Sequence, residues 1–274
     1  EGCDLRDAAQ KVAELSGSAL APPRSRGDSQ RGRKKPSEAQ EGSQKQKTAT
    51  DPPKRRKSSP EASEPVSGDV SRTNTPLKFA LDLDLEHEHV LARLDPEAAE
   101  HFGVGYLADT SRSMMKGRIC IPIHNPAGEL VAYVGRWPTL AVPEGEDKYR
   151  FPPKFEKLAE LYNVHRLNGA QHIVAVEGFF SAMRLDQLGV PVVALMGTAI
   201  SAEQIELLVS QGVKSVLVLL DGDKPGQAAA EIVASAVAEH LFVRVVRLPP
   251  DQAPDDMPEQ DLQRYLPYPL RNRF

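Results

Sequence analysis

Cysteine and tryptophan are scarce: 274 residues contain two Cys and one Trp. Two cysteines cannot build a disulfide framework, nor a zinc site of four cysteines within this chain. No run approaches 18 consecutive apolar residues, so no membrane-spanning helix is expected. No charged segment followed by an apolar stretch opens the chain, so no secretory leader is expected. The first residue is Glu1 rather than Met, and a helical pattern starts almost at once, which reads as an internal or C-terminal piece of a longer reading frame. What is present is 40% apolar and 26% charged, enough for one large domain or two small ones with a real core. The formal charge of -4 hides an asymmetry. Residues 21–57 hold 12 Lys/Arg against 4 Asp/Glu, a local +8 that leaves -12 on the remainder. A basic segment joined to an acidic body points to anionic partners for the first and cations for the second.

Leu5, Ala8, Ala9, Val12 and Leu15 recur at helical spacing behind Asp4, a suitable N-cap, and predict one amphipathic helix. At about three turns it is not stable alone and needs a partner. Between residues 21 and 76 the only apolar residues larger than Ala or Pro are Val66 and Val70. Such a stretch cannot bury enough surface to offset its chain entropy, and it is expected to be a disordered linker. Its runs Arg33-Lys34-Lys35 and Lys54-Arg55-Arg56-Lys57 have two readings. They are either a solvated, self-repelling spacer or a sequence-independent contact to nucleic-acid phosphates.

Order resumes near Leu77. Asp95-Pro96-Glu97 reads as N-cap, N1 and acidic first turn of a helix. Residues 118–124 alternate as a strand, residues 125–128 turn it, and residues 130–134 return, a β-hairpin with an edge-strand proline at Pro122. From Gln171 strands and helices alternate. Strands are expected at 172–176, 192–196, 215–220 and 243–248, with helices at 179–188, 202–211 and 227–240. Four short Val/Leu-rich strands with helices between them imply an α/β fold, a parallel sheet with helices on both faces.

Two chemistry-bearing stretches follow strands: Val176-Glu177-Gly178 and Asp221-Gly222-Asp223-Lys224-Pro225-Gly226. In open α/β sheets ligands bind outside the carboxyl ends of strands, where strand order reverses. A strand order 2-1-3-4, counted from residue 172, sets Glu177 opposite Asp221 and Asp223. Gly222 between the two aspartates allows a bend without steric cost. Converging carboxylates with no evident cationic partner repel one another, and a hard divalent cation such as Mg²⁺ resolves that repulsion. Asp-x-Asp alone is more often a capped turn. Glu-Gly after one strand with Asp-Gly-Asp after a later one is a much more specific signal.

These residues carry a resemblance. Val176-Glu177-Gly178-Phe179, Gly197-Thr198-Ala199 and Leu220-Asp221-Gly222-Asp223-Lys224-Pro225-Gly226 resemble the TOPRIM domain of bacterial primases. Upstream, Gly117-Arg118-Ile119, Pro122-Ile123, Gly128-Glu129-Leu130 and Gly135-Arg136 resemble the N-terminal subdomain of the DnaG-type primase core. So do Lys148-Tyr149-Arg150-Phe151 and Leu161-Tyr162-Asn163, while residues 1–8 resemble the last helix of the primase zinc-ribbon domain. The resemblance implies a Rossmann-like TOPRIM sheet preceded by a mixed α+β subdomain. The implied division is a zinc-ribbon tail at 1–16, a basic linker at 17–76, the N-terminal subdomain at 77–168, TOPRIM at 169–268 and a tail at 269–274. It implies synthesis of short RNA primers on single-stranded DNA from nucleoside triphosphates, in the cytoplasm, in bacterial, phage or mobile-element replication. In that reading Glu177, Asp221 and Asp223 are catalytic and, with Asp255, hold Mg²⁺ or Mn²⁺. Lys116, Arg118, Arg136, Lys148, Arg150, Lys154 and Lys224 contact template or nucleotide. For any one of these cations the plain reading is a solvated surface charge. Trp137, Tyr149 and Phe151 either stack bases or, more often for such aromatics, sit in the core.

The chain also departs from the family. An Asp-Pro-Asp that follows the fourth strand is here Ala253-Pro254-Asp255-Asp256, so its first acid is missing. The family's zinc ligands would precede Glu1, so Zn²⁺ is expected only upstream. A replicative helicase is an implied partner, although the family's helicase-interaction domain has no counterpart before Phe274. His87-Glu88-His89 places two histidines on diverging sides of a helix and is a poor metal site. No Gly-x-x-x-x-Gly-Lys-Ser/Thr loop is present, and Ser181 and Ser201 lack a Gly-x-Ser-x-Gly setting. The rival readings are a TOPRIM nuclease and a DNA-binding protein of a mobile element whose TOPRIM site is catalytically weak.

Overall fold

The structure, a computed structural model, describes residues 73–267 and 270. The expected helix at 1–16, most of the expected linker and most of the expected tail lie outside the described residues. Two short helices lead in, α1 (Glu88–Leu91) and α2 (Pro96–Phe102). Asp95 caps α2 by accepting the Ala98 N–H, Pro96 occupies the first turn where its missing N–H costs nothing, and Gly103 ends the helix at φ 64°. A first sheet follows, of β1 (Gly105–Leu107), β2 (Arg118–His124), β3 (Leu130–Arg136) and β4 (Tyr149–Arg150), antiparallel in that order.

The expected hairpin forms, and Asn125 closes it by accepting the Glu129 N–H. Its strand with Pro122 is nevertheless not an edge strand, because β2 lies between β1 and β3. The proline is tolerated for a different reason. Pairing with β1 ends at Cys120, so at Pro122 no β1 neighbour remains to accept a ladder bond.

The second sheet contains β5 (His172–Val176), β6 (Val192–Ala194), β7 (Ser215–Val218) and β8 (Phe242–Val245). All pairs are parallel and the order is β6-β5-β7-β8, the expected 2-1-3-4. Helices α3 (Phe179–Gln187), α4 (Ala202–Ser210) and α5 (Lys224–Ala238) connect the strands, and α6 (Glu259–Leu262) follows β8. Helix α4 opens with a capping box between Ser201 and Gln204. Helix α5 starts three residues before its expected position: Asp223 caps it, and Pro225 falls within the first turn, where a proline is compatible with helix.

Strand alternation divides the interior. Val174, Val176, Val192, Ala194 and Leu217 face one side and pack with Phe179, Ala182 and Met183 of α3. Ile173, Ala175, Val193, Val216 and Val218 face the other side and pack with Ile205 and Leu208 of α4 and Val233 and Val237 of α5. Each side of the parallel sheet is therefore covered by helix. The first core also takes in Ile119, Ile121 and Ile123 of β2, so the two sheets share it. Cys120, between those isoleucines, points the opposite way into a small cluster with Leu107, Met115 and Tyr133. Burial pushes its thiol up to about 12, so it is a packing residue without thiolate chemistry.

Candidate active site

Parallel strands deliver their carboxyl ends to one edge of the sheet. Neighbours β5 and β7 pair Ala175 with Val218, so the chain segments leaving them carry Glu177 and Asp221 onto the same edge. Strand β6 ends beside them, and its exit is bent: Met196 takes φ 60°, a left-handed conformation that costs a side-chain-bearing residue energy. The Asp221–Asp223 turn is tied to the loop after β8. The Gly222 N–H donates to Gln252 O at 2.7 Å, and Asp251 N–H donates back to Gly222 O at 3.2 Å. Gly222 is required by close approach, since a Cβ there would lie 1.9 Å from Pro249 O. A Cβ on Gly226 would lie 2.4 Å from Asp221 O. These two glycines let the backbone close over the first turn of α5, where Asp223 accepts the Gly226 N–H at 2.7 Å.

Asp255 lies in the 3₁₀ turn Pro254–Asp256 beyond β8. It joins the others electrostatically. Burial raises Asp221 from 3.8 to about 7, with the charges of Glu177, Asp255 and Asp223 adding to the rise and Lys148 opposing it. Glu177 is also raised, by burial first and then by Asp223, against the pull of Lys148. Four carboxylates and one ammonium therefore share a neighbourhood. They are not drawn into a closed cage: among the described residues no three His, Cys, Asp or Glu side chains group to hold an ion. One observation tests the fit of a cation. Asp221 Oδ1 is buried and has no hydrogen-bond partner. A buried, uncompensated carboxylate oxygen among other acids suits a hard divalent cation, and an all-oxygen donor set suits Mg²⁺ or Mn²⁺.

The expected cations divide into two groups. Lys116, Lys148, Lys154 and Lys224 are exposed. Lys148 acts on Glu177 and Asp221, while Lys224 opens α5, where a cation is unfavourable next to the helix dipole unless an anion joins it. Arg118 and Arg136 are buried, at 0% and 3% exposure. Arg118 donates to Glu146 Oε2, Asp147 O and Gly135 O and lies over the Trp137 ring. Its donors hold the loop before β4 and do not face solvent. Half-buried Arg150 donates to the same Glu146 oxygen and to Met114 O. Arg136 donates to Trp137 O and lies over the Tyr149 and Phe180 rings, with Nε buried and unbonded.

Tyr149 and Phe151 pack against the shared core. His87 caps α1 through Nδ1 and stacks on Tyr106 with centroids 3.8 Å apart. Sequence reasoning missed Lys157, whose Nζ donates to Met196 O at 3.3 Å and lies over the Phe151 ring. It also missed Ser181, which donates to Asp255 Oδ1. Lys157 had no distinguishing local signal. Ser181 follows Glu177 by one helical turn, a spacing that places it at the same strand end.

With that geometry in view, residues 174–258 match the Toprim-like family. The DNA primase of Staphylococcus epidermidis is 32% identical over 163 residues, which is 56% of this chain and 26% of that protein. The DNA primase of Geobacillus stearothermophilus is 33% identical over 150 residues, 52% of this chain and 24% of that protein. Among solved structures, the Aquifex aeolicus primase with its zinc-binding and RNA polymerase domains superposes with a TM-score of 0.57 at 24% identity, covering 66% of this chain and 56% of that one. A DnaG catalytic domain bound to single-stranded DNA gives 0.54 at 22% identity, covering 64% and 69%. The match takes in β5 to β8 from Val174 on, with helices α3 to α5. Together with the antiparallel sheet before it, the chain has the fold of a DnaG-type primase core. It spans about a quarter of the length of the curated relatives it matches.

Proposed function

We propose that this chain is the catalytic core of a DNA primase, joining ribonucleotides into short primers on a single-stranded DNA template. The observation that carries the reading is the acidic edge of the parallel sheet, where Asp221 Oδ1 is buried without a partner among Glu177, Asp223 and Asp255. These four residues would hold Mg²⁺ or Mn²⁺, which when bound supplies charge stabilisation for nucleotidyl transfer. Asp223 does two things at once, capping α5 with one oxygen and leaving the other for the cation. Lys148 and Lys224 supply positive charge for triphosphate oxygens, and Lys116 and Lys154 for template phosphates. Arg118 and Arg150 serve through Glu146, fixing the loop from which Lys148 projects. The N-terminal subdomain at 77–168 and TOPRIM at 169–268 are one working unit because they share a core.

The test is primer synthesis on single-stranded DNA with ribonucleoside triphosphates and Mg²⁺ or Mn²⁺. Primers that vanish in Asp221→Asn support the reading. Strand cleavage without synthesis would establish a TOPRIM nuclease. Binding with neither activity would establish a catalytically inert DNA-binding module, the outcome that the loss of an acid at Ala253 favours.

A further inference from the structure

The acidic edge has a member whose position nothing local explains. Asp255 sits in the 3₁₀ turn Pro254–Asp256, whose N-cap residue, Ala253, offers no side-chain cap. Helix α3 supplies the missing restraint. Ser181, in its first turn and 3% exposed, donates its hydroxyl to Asp255 Oδ1. A carboxylate only accepts, so the Ser181 proton is committed to this bond, and a buried hydroxyl needs such a partner. The same helix begins two residues after Glu177, so one rigid element carries Glu177 at its entrance and holds Asp255 from its first turn.

A competitor lies on the other side. A cavity of about 180 Å³ is lined by Arg93, Phe180, Arg184, Gln187, Asp255 and Asp256. The Arg93 guanidinium, 5.4 Å from the Phe180 ring centroid, feels the charges of both Asp255 and Asp256. An unrestrained Asp255 carboxylate would turn towards these guanidiniums and away from Asp221.

We propose that Ser181 is a positioning residue: its hydroxyl holds Asp255 against the acidic edge, so that Asp255 serves there despite the acid missing at Ala253. This rests on the metal-site reading above. Ser181 itself touches neither cation nor nucleotide.

The experiment is calorimetric Mg²⁺ titration of the full chain, with melting curves in metal-free buffer, for Ser181→Ala, Asp255→Asn, their combination and Asp221→Asn. Without this restraint Asp255 turns away from the edge, so Ser181→Ala should weaken Mg²⁺ binding about tenfold, while metal-free melting falls by no more than a few degrees. The combination should bind no worse than Asp255→Asn alone, because both changes remove one function. Wild-type affinity in Ser181→Ala beside weakened affinity in Asp221→Asn overturns the positioning role and leaves the metal site standing. Wild-type affinity in Asp221→Asn overturns the metal site itself. Should Ser181→Ala melt early without metal, Ser181→Cys decides, since it keeps the packing and loses the strong donor. Weakened affinity at wild-type melting then supports the role, and wild-type affinity overturns it.

Discussion

Replacing Asp221 with Asn should make the metal-free protein more stable and the metal-bound protein less so. Asp221 is half-buried, its Oδ1 has no hydrogen-bond partner, and burial with three neighbouring acids raises it from 3.8 to about 7. One pKa unit corresponds to ~1.4 kcal/mol, so full ionisation at pH 8 would cost the fold at most ~4 kcal/mol. Solvent reaches the carboxylate, and screening at least halves that to ~2 kcal/mol. The sign follows from proton counting. The folded state holds this proton up to about pH 7 and the unfolded state releases it near 3.8, so stability falls as pH rises between those values. Asn carries no charge and escapes the loss. A domain of this size changes its melting temperature by about 2–4 °C per kcal/mol, so the variant should melt ~4–8 °C higher than the parent at pH 8 in a chelator. At pH 5 the parent is largely protonated when folded, and the difference should shrink to about 1 kcal/mol or less. Mg²⁺ at a hundred times its dissociation constant should raise the parent by about 2.7 kcal/mol and the variant by much less. Scanning calorimetry at both pH values, with and without Mg²⁺, measures all of this. A variant that melts below the parent at pH 8 without metal, or gains equally from Mg²⁺, refutes the electrostatic account of this site.

Three further outcomes are expected. Gly222→Ala puts a Cβ 1.9 Å from Pro249 O, so the 221–223 turn must separate from the loop after β8; a loss of about 3 kcal/mol in denaturant unfolding is expected, and an unchanged midpoint would show that the loop yields freely. Glu146→Gln leaves the buried Arg118 without its anion and releases Arg150, which should cost about 2 kcal/mol and raise the KM for nucleoside triphosphates as Lys148 loses its support; unchanged stability would remove the strut from the argument. His165 is lowered to about 4 by burial, with His124, Arg166 and His101 adding to the effect. The unfolded chain takes up this proton near 6.5 and the folded one only near 4, so stability should fall as pH drops through that window. His165→Phe should flatten the decline, and a curve as steep as the parent's would assign it to other groups.

Legibility in the sequence followed the range of the interactions. Strand β5 matched its expected bounds at His172–Val176 because Ile173, Val174 and Val176 form a short β-branched run bracketed by Gln171 and Glu177-Gly178. The order β6-β5-β7-β8 is the expected 2-1-3-4, and it sets the ends of β5 and β7, with Glu177 and Asp221 beyond them, side by side. What escaped depended on contacts between distant segments. In the sequence Gly222 reads as a place to bend, whereas it is a place of close approach, and only the loop after β8 reveals that. Arg118 alternates with apolar residues in its strand and reads as an outward charge, until Glu146 and the Asp147 carbonyl arrive to satisfy it in the interior. Pro122 signals an edge because the ladder normally needs its N–H, but the shortness of β1 removes the need. Ser181 is one of many serines until Asp255, 74 positions later, is folded against it.

The two sheets make opposite contributions to the acidic edge. The parallel sheet brings acids together at one edge because all its strands point the same way, so negative charge accumulates there as a consequence of topology. Burial first, and then that charge, disfavours ionisation there, and both Glu177 and Asp221 are raised. The antiparallel sheet sends one cation back: Lys148, from the loop that enters β4, draws both acids down. One ammonium cannot balance four carboxylates, and the excess negative charge suits a divalent cation. Glu146, two residues before Lys148, is clamped between buried Arg118 and half-buried Arg150. One buried and one half-buried arginine of the antiparallel sheet thus anchor the loop that carries exposed Lys148. Substitutions at Arg118 should therefore be read at the nucleotide as well as in stability, even though its guanidinium is hidden from solvent.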